Sequence, residues 1–305
     1  MTRILEFLAG KDELRVVITD SGVGGLYICA ELEKRLRGAS RSCPLRLTYV
    51  NAWPYTYAGY NDLPDPASRA RVLDRALGRM AAFRPGLLLI ACNTLSLLYG
   101  TTEFSRAPSV PVMGIVEDGV DLFHERMTED PGGSLVLFGT RTTIEAGEHI
   151  RRLVQRGIEG RRVFAAACHG LAAAFERDPD DPGLARMVGE CVCQALQGKR
   201  IEGTLYAGLC CTHYSYLRDI FRISLGRQTD GRIEILDPGE RLVRSLTDGL
   251  KDKAPEEPAG EITVEVVSKI ELDETRRHAV ARRLEPASAR TARALIDYTH
   301  VPDLF

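Results

Sequence analysis

Two cysteines stand where a folded chain could use them for chemistry. Cys92 follows the apolar run Gly86 to Ala91 and is itself followed by Asn93-Thr94. Cys211 closes the apolar run from Thr204 and is followed by Thr212-His213. A free cysteine is among the most buried residue types and usually just packs. Two at matching run ends, each with hydroxyl, amide or imidazole neighbours, favour reactivity over packing. A thiol beside a helix N-terminus or a histidine has a larger thiolate fraction. One such thiol would suit a nucleophile. Two facing each other would suit a base and an acid on opposite sides of one carbon. Another polar cluster follows the first apolar run, Leu14 to Thr19, as Asp20-Ser21-Gly22-Val23-Gly24-Gly25. Those glycines lack both the G-x-G-x-x-G spacing and the Walker lysine, so no nucleotide loop is expected there. On motif spacing alone, a tight strand-to-helix turn explains them, with Asp20 as a helix cap.

These residues need strands that end together. Leu14–Thr19, Leu45–Val50 and Gly86–Ala91 read as strands, and Leu26–Leu36 and Pro66–Phe83 as helices between them. The alternation continues with strands at Val110–Ile115, Ser134–Gly139, Arg162–Ala166, Thr204–Leu209 and Ile233–Leu236. Helices are expected at Asp118–Met127, Thr143–Gln155, Leu184–Leu196, Ser215–Leu225 and Pro238–Leu250. Unbroken apolar runs between helices predict parallel strands covered on both faces, hence a doubly wound α/β fold. Residues 251–260 read as a polar, proline-containing linker. Ile262–Ser268 alternates like an edge strand, with two Arg- and Ala-rich helices after it, split by Pro286. In such folds ligands bind beyond the carboxyl ends of the strands, where Asp20, Cys92, Cys168, His169 and Cys211 fall.

Composition narrows the function. The 305 residues are 44% hydrophobic and 27% charged, and 40 basic against 42 acidic residues leave a net charge of −2. The length suggests two domains at about 150 residues each. Without a basic excess, nucleic acid is not an expected partner. No apolar run reaches the ~18 residues of a membrane helix. Residues 1–11 lack a signal-peptide core. A cytoplasmic protein with no membrane association is expected. Its eight cysteines are then expected to be thiols. Cys191-Val192-Cys193 and Cys210-Cys211 do not have zinc-ligand spacing, so no metal site is expected.

Taken together, Asp20-Ser21-Gly22-Val23-Gly24-Gly25, Pro54-Tyr55, Ala91-Cys92-Asn93-Thr94 and Cys211-Thr212-His213-Tyr214 resemble the aspartate/glutamate racemase family, and most closely its glutamate racemases. A weaker likeness joins Cys168 to Glu176. The resemblance covers about residues 14–250. It implies two α/β domains of similar topology facing each other across a cleft: 1–113 with 226–305, carrying Asp20 and Cys92, and 114–225, carrying Cys211 and His213. It implies inversion at an amino-acid Cα with no cofactor, one cysteine removing the proton and the other supplying one. It casts Asp20, His213 and, more weakly, Glu176 as aids to proton traffic. It places Asp20, Ser21, Tyr55, Thr56, Asn93, Thr94, Thr212 and His213 around a small amino-acid substrate, and it leaves a homodimer open.

The chain departs from the family at three of these motifs. Thr56 replaces the glycine usual after Pro-Tyr, Cys210 the glycine before the second cysteine, and Ser215 the proline after His-Tyr. Thr56 would set a side chain toward the substrate's distal carboxylate and so bears on substrate length. The leading expectation is a glutamate racemase supplying D-glutamate for peptidoglycan. The alternatives are a racemase of aspartate or another amino acid, a related decarboxylase or cis–trans isomerase, and a non-catalytic amino-acid-binding protein. The presence of both cysteines argues against the decarboxylase. Intact Asp20, Cys92, Cys211 and His213 argue against the binder.

Overall fold

The computed structural model describes residues 13–39, 43–199, 201, 203–248, 250 and 260–305. The expected linker at 251–260, all but its last residue, and the N-terminal stretch 1–11 lie outside the described residues.

The chain first lays down β1 (Leu14–Asp20), α1 (Leu26–Gly38), β2 (Leu45–Asn51), α2 (Pro66–Ala81), β3 (Leu87–Ile90), α3 (Asn93–Tyr99) and β4 (Val112–Gly114). There follow α4 (Ile115–Glu129), β5 (Ser134–Gly139), α5 (Arg141–Glu145), α6 (Glu148–Gln155), β6 (Val163–Ala167), α7 (Leu171–Arg177) and α8 (Gly183–Leu196). Next come β7 (Leu205–Cys210), α9 (Arg218–Gly226), β8 (Ile233–Leu236), α10 (Pro238–Thr247), β9 (Ile262–Ser268), α11 (Glu274–Leu284), α12 (Ala289–Ile296) and β10 (Thr299–His300).

The strands form two sheets, in the orders β10-β9-β2-β1-β3-β4 and β6-β5-β7-β8. Every pairing within them is parallel. The helices cover both faces. Along β1, Leu14, Val16 and Ile18 pack with α1, while Val17 packs on the opposite face with Val72, Leu73 and Leu77 of α2. That is the period-two division of a doubly covered strand. Sheet order reverses at β1/β3 in the larger sheet and at β5/β7 in the smaller. These are the points where doubly wound sheets open a crevice at their carboxyl ends, and Asp20, Cys92, Thr140 and Cys211 all stand there.

Several local expectations change in the structure. β8 pairs with β7, so the return to the larger sheet falls after Leu236 and not at residue 226. β9 is not an edge: β2 pairs along its full length, and two-residue β10 lies beyond it. The helix expected from Thr143 to Gln155 is broken by Gly147, whose φ of 63° is a left-handed conformation that suits glycine. The stretch from Ser215 begins inside a 3₁₀ turn, Thr212–Leu217, before α9. Among the cysteines, Cys168 and Cys191 form a disulfide, correcting the expectation that all are thiols. Compartment and spacing do not reveal that α8 lies along the end of β6, which brings the two Cα atoms to 5.4 Å, within bridging range. Among the described residues, no helix is long and apolar enough to cross a membrane.

Candidate active site

The carboxyl ends of the two sheets meet across a cleft of about 520 Å3. Of the residues singled out from sequence, Ser21, Cys92, Asn93, Thr94, Glu176, Cys211, Thr212 and His213 line it. Asp20 lies one layer behind, fully buried, and accepts a hydrogen bond on Oδ2 from Thr212 Oγ1 at 2.8 Å. Its Oδ1 has no partner. Tyr55 and Thr56 are exposed and do not line the cleft. They sit in a turn closed by a bridge between Tyr55 and Ala58. The chain then doubles back, and Gly59, Tyr60, Asn61 and Asp62 line the cleft instead.

Cys92 caps the start of α3 and is almost fully buried. Burial, and next the Asp20 charge, push its thiol up to about 12, against smaller lowering by Ser21 and the Leu95 N–H. Ser21 Oγ lies 3.4 Å from Cys92 Sγ. Burial also raises Asp20, from 3.8 to about 6, although His213 and Thr212 pull it down. A carboxyl poised there can take or give a proton near neutral pH.

Cys211 has a different environment. Its Sγ lies 3.6 Å from His213 Nδ1, while His213 Nε2 lies 2.7 Å from Glu176 Oε1. Burial alone would lower the imidazole, but the hydrogen bonds to Cys211 and Glu176 outweigh it and hold His213 well above its usual value. Burial would raise Glu176, but His213 and then Arg276 outweigh it and leave the carboxyl below its usual value. Both shifts favour the imidazolium–carboxylate form of this buried pair.

The glycines of the first loop make this contact fit. A Cβ at Gly22 would stand 2.0 Å from Glu176 Oε1, and one at Gly24 would stand 2.4 Å from Thr212 Oγ1. The Val23 N–H donates to Glu176 Oε1 at 2.6 Å. The loop that resembles a phosphate cradle is thus a close-approach surface between the two sheet-bearing halves.

Asn93 presents a free amide. It is buried, and neither Nδ2 nor Oδ1 has a partner. Thr94 Oγ1 lies within 3.1 Å of both Thr140 Oγ1 and Thr143 Oγ1, across the division between the sheets. At the mouth, Thr142 Oγ1 donates to Asn61 Oδ1 at 2.6 Å and accepts from Arg69 Nη1 at 3.3 Å. Arg141 contributes a second guanidinium, 3.0 Å from His169 Nδ1.

Thr140 follows β5 as Cys92, Asn93 and Thr94 follow β3, so the strand-end rule was sufficient to find it. Asn61, Arg69, Thr142 and Arg276 carry no such signal. Among the described residues, no cluster of three or more His, Cys, Asp or Glu is placed to hold a metal ion.

Comparison with known proteins agrees with this architecture. The glutamate racemase of Aquifex pyrophilus is 27% identical over 242 residues, covering 78% of this chain and 84% of that protein. That of Chlorobaculum tepidum is 27% identical over 249 residues, covering 78% and 82%. The solved glutamate racemase of Campylobacter jejuni superposes with a TM-score of 0.65 at 19% identity, over 89% of this chain and 98% of that one. The Francisella tularensis glutamate racemase, solved in complex with D-glutamate, gives 0.64 at 18% identity, over 90% and 95%. These two structural likenesses are ones of fold. The model of the Asp/Glu/Hydantoin racemase family matches residues 21–246, which take in the whole smaller sheet, β2 to β4 of the larger and every cleft cysteine. The chain therefore belongs to the Asp/Glu/hydantoin racemase family, and it is an isomerase of the racemase type.

Proposed function

We propose that this racemase interconverts L- and D-glutamate by two-cysteine proton transfer at Cα, with Cys92 serving one face and Cys211 the other. The observation that carries this reading is the pair of thiols in one cleft, each with its own proton partner: Asp20 behind Cys92, and His213–Glu176 behind Cys211. One thiolate takes the Cα proton, and the opposite thiol gives its own proton to the other face. The two sulfurs thereby exchange protonation states, and turnover in the reverse direction or proton exchange through Asp20 and His213 resets them.

The developing carbanion is stabilised by preorganised donors in a closed site. Ser21, Asn93, Thr94 and Thr212 supply hydroxyls and an amide for the substrate's ammonium and carboxylate, and the unpartnered Asn93 amide is satisfied on binding. Arg69 and Arg141 are the guanidinium groups of the cleft lining that an acidic side chain could meet, beside the carboxylates of Asp62 and Glu145. No step requires a cofactor or metal. The product, D-glutamate, would serve cell-wall peptidoglycan, in a cytoplasmic enzyme.

Glutamate is preferred over aspartate because the relatives named above are glutamate racemases. Nor does Thr56, which does not line the cleft, supply a side chain to shorten the site in favour of aspartate. The test is α-proton exchange in D2O, read by NMR, with each enantiomer of glutamate and aspartate and with EDTA present. Exchange and racemisation of glutamate are expected. Cys92→Ala and Cys211→Ala should each lose about 10² to 10⁴ of the racemisation rate. A preference for aspartate would overturn the substrate, and retained racemisation in either variant would overturn the two-thiol mechanism.

A further inference from the structure

One side chain of the C-terminal segment, beyond the residues the family model matches, contacts Glu176 of the cleft. Arg276 lies in the first turn of α11, where its N–H is capped by Asp273 Oδ1 at 2.9 Å. Its Nη1 donates to Glu176 Oε2 at 3.2 Å and to the Glu176 carbonyl at 3.1 Å. The guanidinium is largely buried, at 15% side-chain exposure, and its Nε has no partner. Glu176 is thus held from three directions: the Val23 N–H after β1, His213 after β7, and Arg276 on α11.

We propose that Arg276 is a positioning residue for proton transfer at Cys211. It clamps the Glu176 carboxylate, which in turn orients His213 beside the Cys211 sulfur. This rests on the two-cysteine reading above.

The arrangement is a chain of alternating charge, Arg276–Glu176–His213, ending at a thiol. A carboxylate buried beside an imidazole alone could share or take the proton and release its orientation. The guanidinium on the far oxygen opposes this by favouring the ionised carboxylate, and its second hydrogen bond, to the backbone of Glu176, fixes the helix end that carries it. A nearby cation lowers a carboxyl pKa by about 1–3 units. The titratable groups that act on Glu176 or are acted on by it are His213, Arg276, Asp20, Tyr49 and Tyr216, and Cys211 faces His213. Of these only Arg276 is a fixed cation, so its removal has a defined sign. Glu176 should protonate at higher pH, and the acidic limb of the kcat/KM profile should move up with it.

The test compares wild type, Arg276→Gln and Arg276→Lys. Arg276→Gln should lower kcat about tenfold with KM changed less than about twofold. It should also raise the acidic limb by about one pH unit. Arg276→Lys should restore most of both. The side-chain carboxyl 13C signal of Glu176 gives a readout that needs no turnover: its titration midpoint should rise in Arg276→Gln. A purely structural role would lower thermal stability and activity alike at every pH, leaving the profile and the midpoint in place, and that result would overturn the proposal. If the wild type racemises nothing, the two-cysteine reading fails while the 13C titration still decides whether Arg276 sets the state of Glu176.

Discussion

Cys92 and Cys211 are alike in burial and strand position, but the groups behind them differ in kind. Cys92 is a thiol held protonated by burial, with a carboxyl nearby whose own pKa lies near neutrality. Cys211 touches an imidazole whose protonated form is favoured by its bonds to Cys211 and Glu176. The two faces of a substrate would therefore meet different machinery, and Asp20 should reveal its part through stability as well as rate. Its folded-state value is about 6 against 3.8 in the open chain. Between those values the native protein holds a proton that the unfolded chain has released, so its contribution to stability falls as pH rises through that window. Over about two units this amounts to ~3 kcal/mol. Asp20→Asn should therefore be more stable than wild type above about pH 6 by up to ~3 kcal/mol, with the gap closing below about pH 4. Its racemisation should be slower. Chemical denaturation at pH 4 and pH 7.5 checks this, and a variant that is less stable at both values would contradict it.

At the scale of elements, the informative segment is the excursion between β2 and α2. Tyr55 and Thr56 form its outward turn, and Gly59–Asp62 form the 3₁₀ return that enters the cleft. Thr56→Gly is therefore expected to leave kcat/KM for glutamate and aspartate within about twofold of wild type, since it removes no cleft contact. Asn61→Ala, on the returning arm, should raise KM by about 2- to 10-fold, the usual worth of one lost hydrogen bond. Steady-state kinetics with both amino acids decides between the two arms. A switch of preference in Thr56→Gly would return the specificity role to the outer turn. The same scale accounts for α7, which hangs from the Cys168–Cys191 disulfide at one end and carries Glu176 near the other.

For the whole molecule, the site exists only where the two sheets meet. Thr94 contacts Thr140 and Thr143 across the cleft, and Thr142 joins Asn61 and Arg69 at its mouth. These contacts join chain segments 46 to 81 residues apart, so they hold only when both halves are folded and docked. Thr142→Val keeps the shape of the side chain and removes both of its hydrogen bonds. It should raise KM by about 5- to 100-fold with a smaller change in kcat, consistent with ~0.5–1.5 kcal/mol for each of the two bonds. Unchanged KM in that variant would mean the contact does not hold the cleft closed on substrate.

What the sequence by itself determined is local. Apolar runs of strand length with helical spacing between them were sufficient for the parallel α/β architecture, and the position directly after the runs for placing Cys92 and Cys211 at the cleft. Each of these is decided within a few residues by burial and backbone geometry. Asp20, a helix cap on spacing alone, was singled out only by the motif resemblance. The tertiary structure alone decided which loops turn inward. It sent Thr56 outward and Asn61 inward, placed β8 in the smaller sheet, and paired Cys168 with Cys191 on a helix one crossover away. It also brought Arg276 to Glu176 across 100 residues of chain. Spacing along the chain carries no record of such contacts, because they join elements far apart in the sequence. Their docking is set by the shape of many side chains together, down to the missing Cβ of Gly22 that lets Glu176 approach.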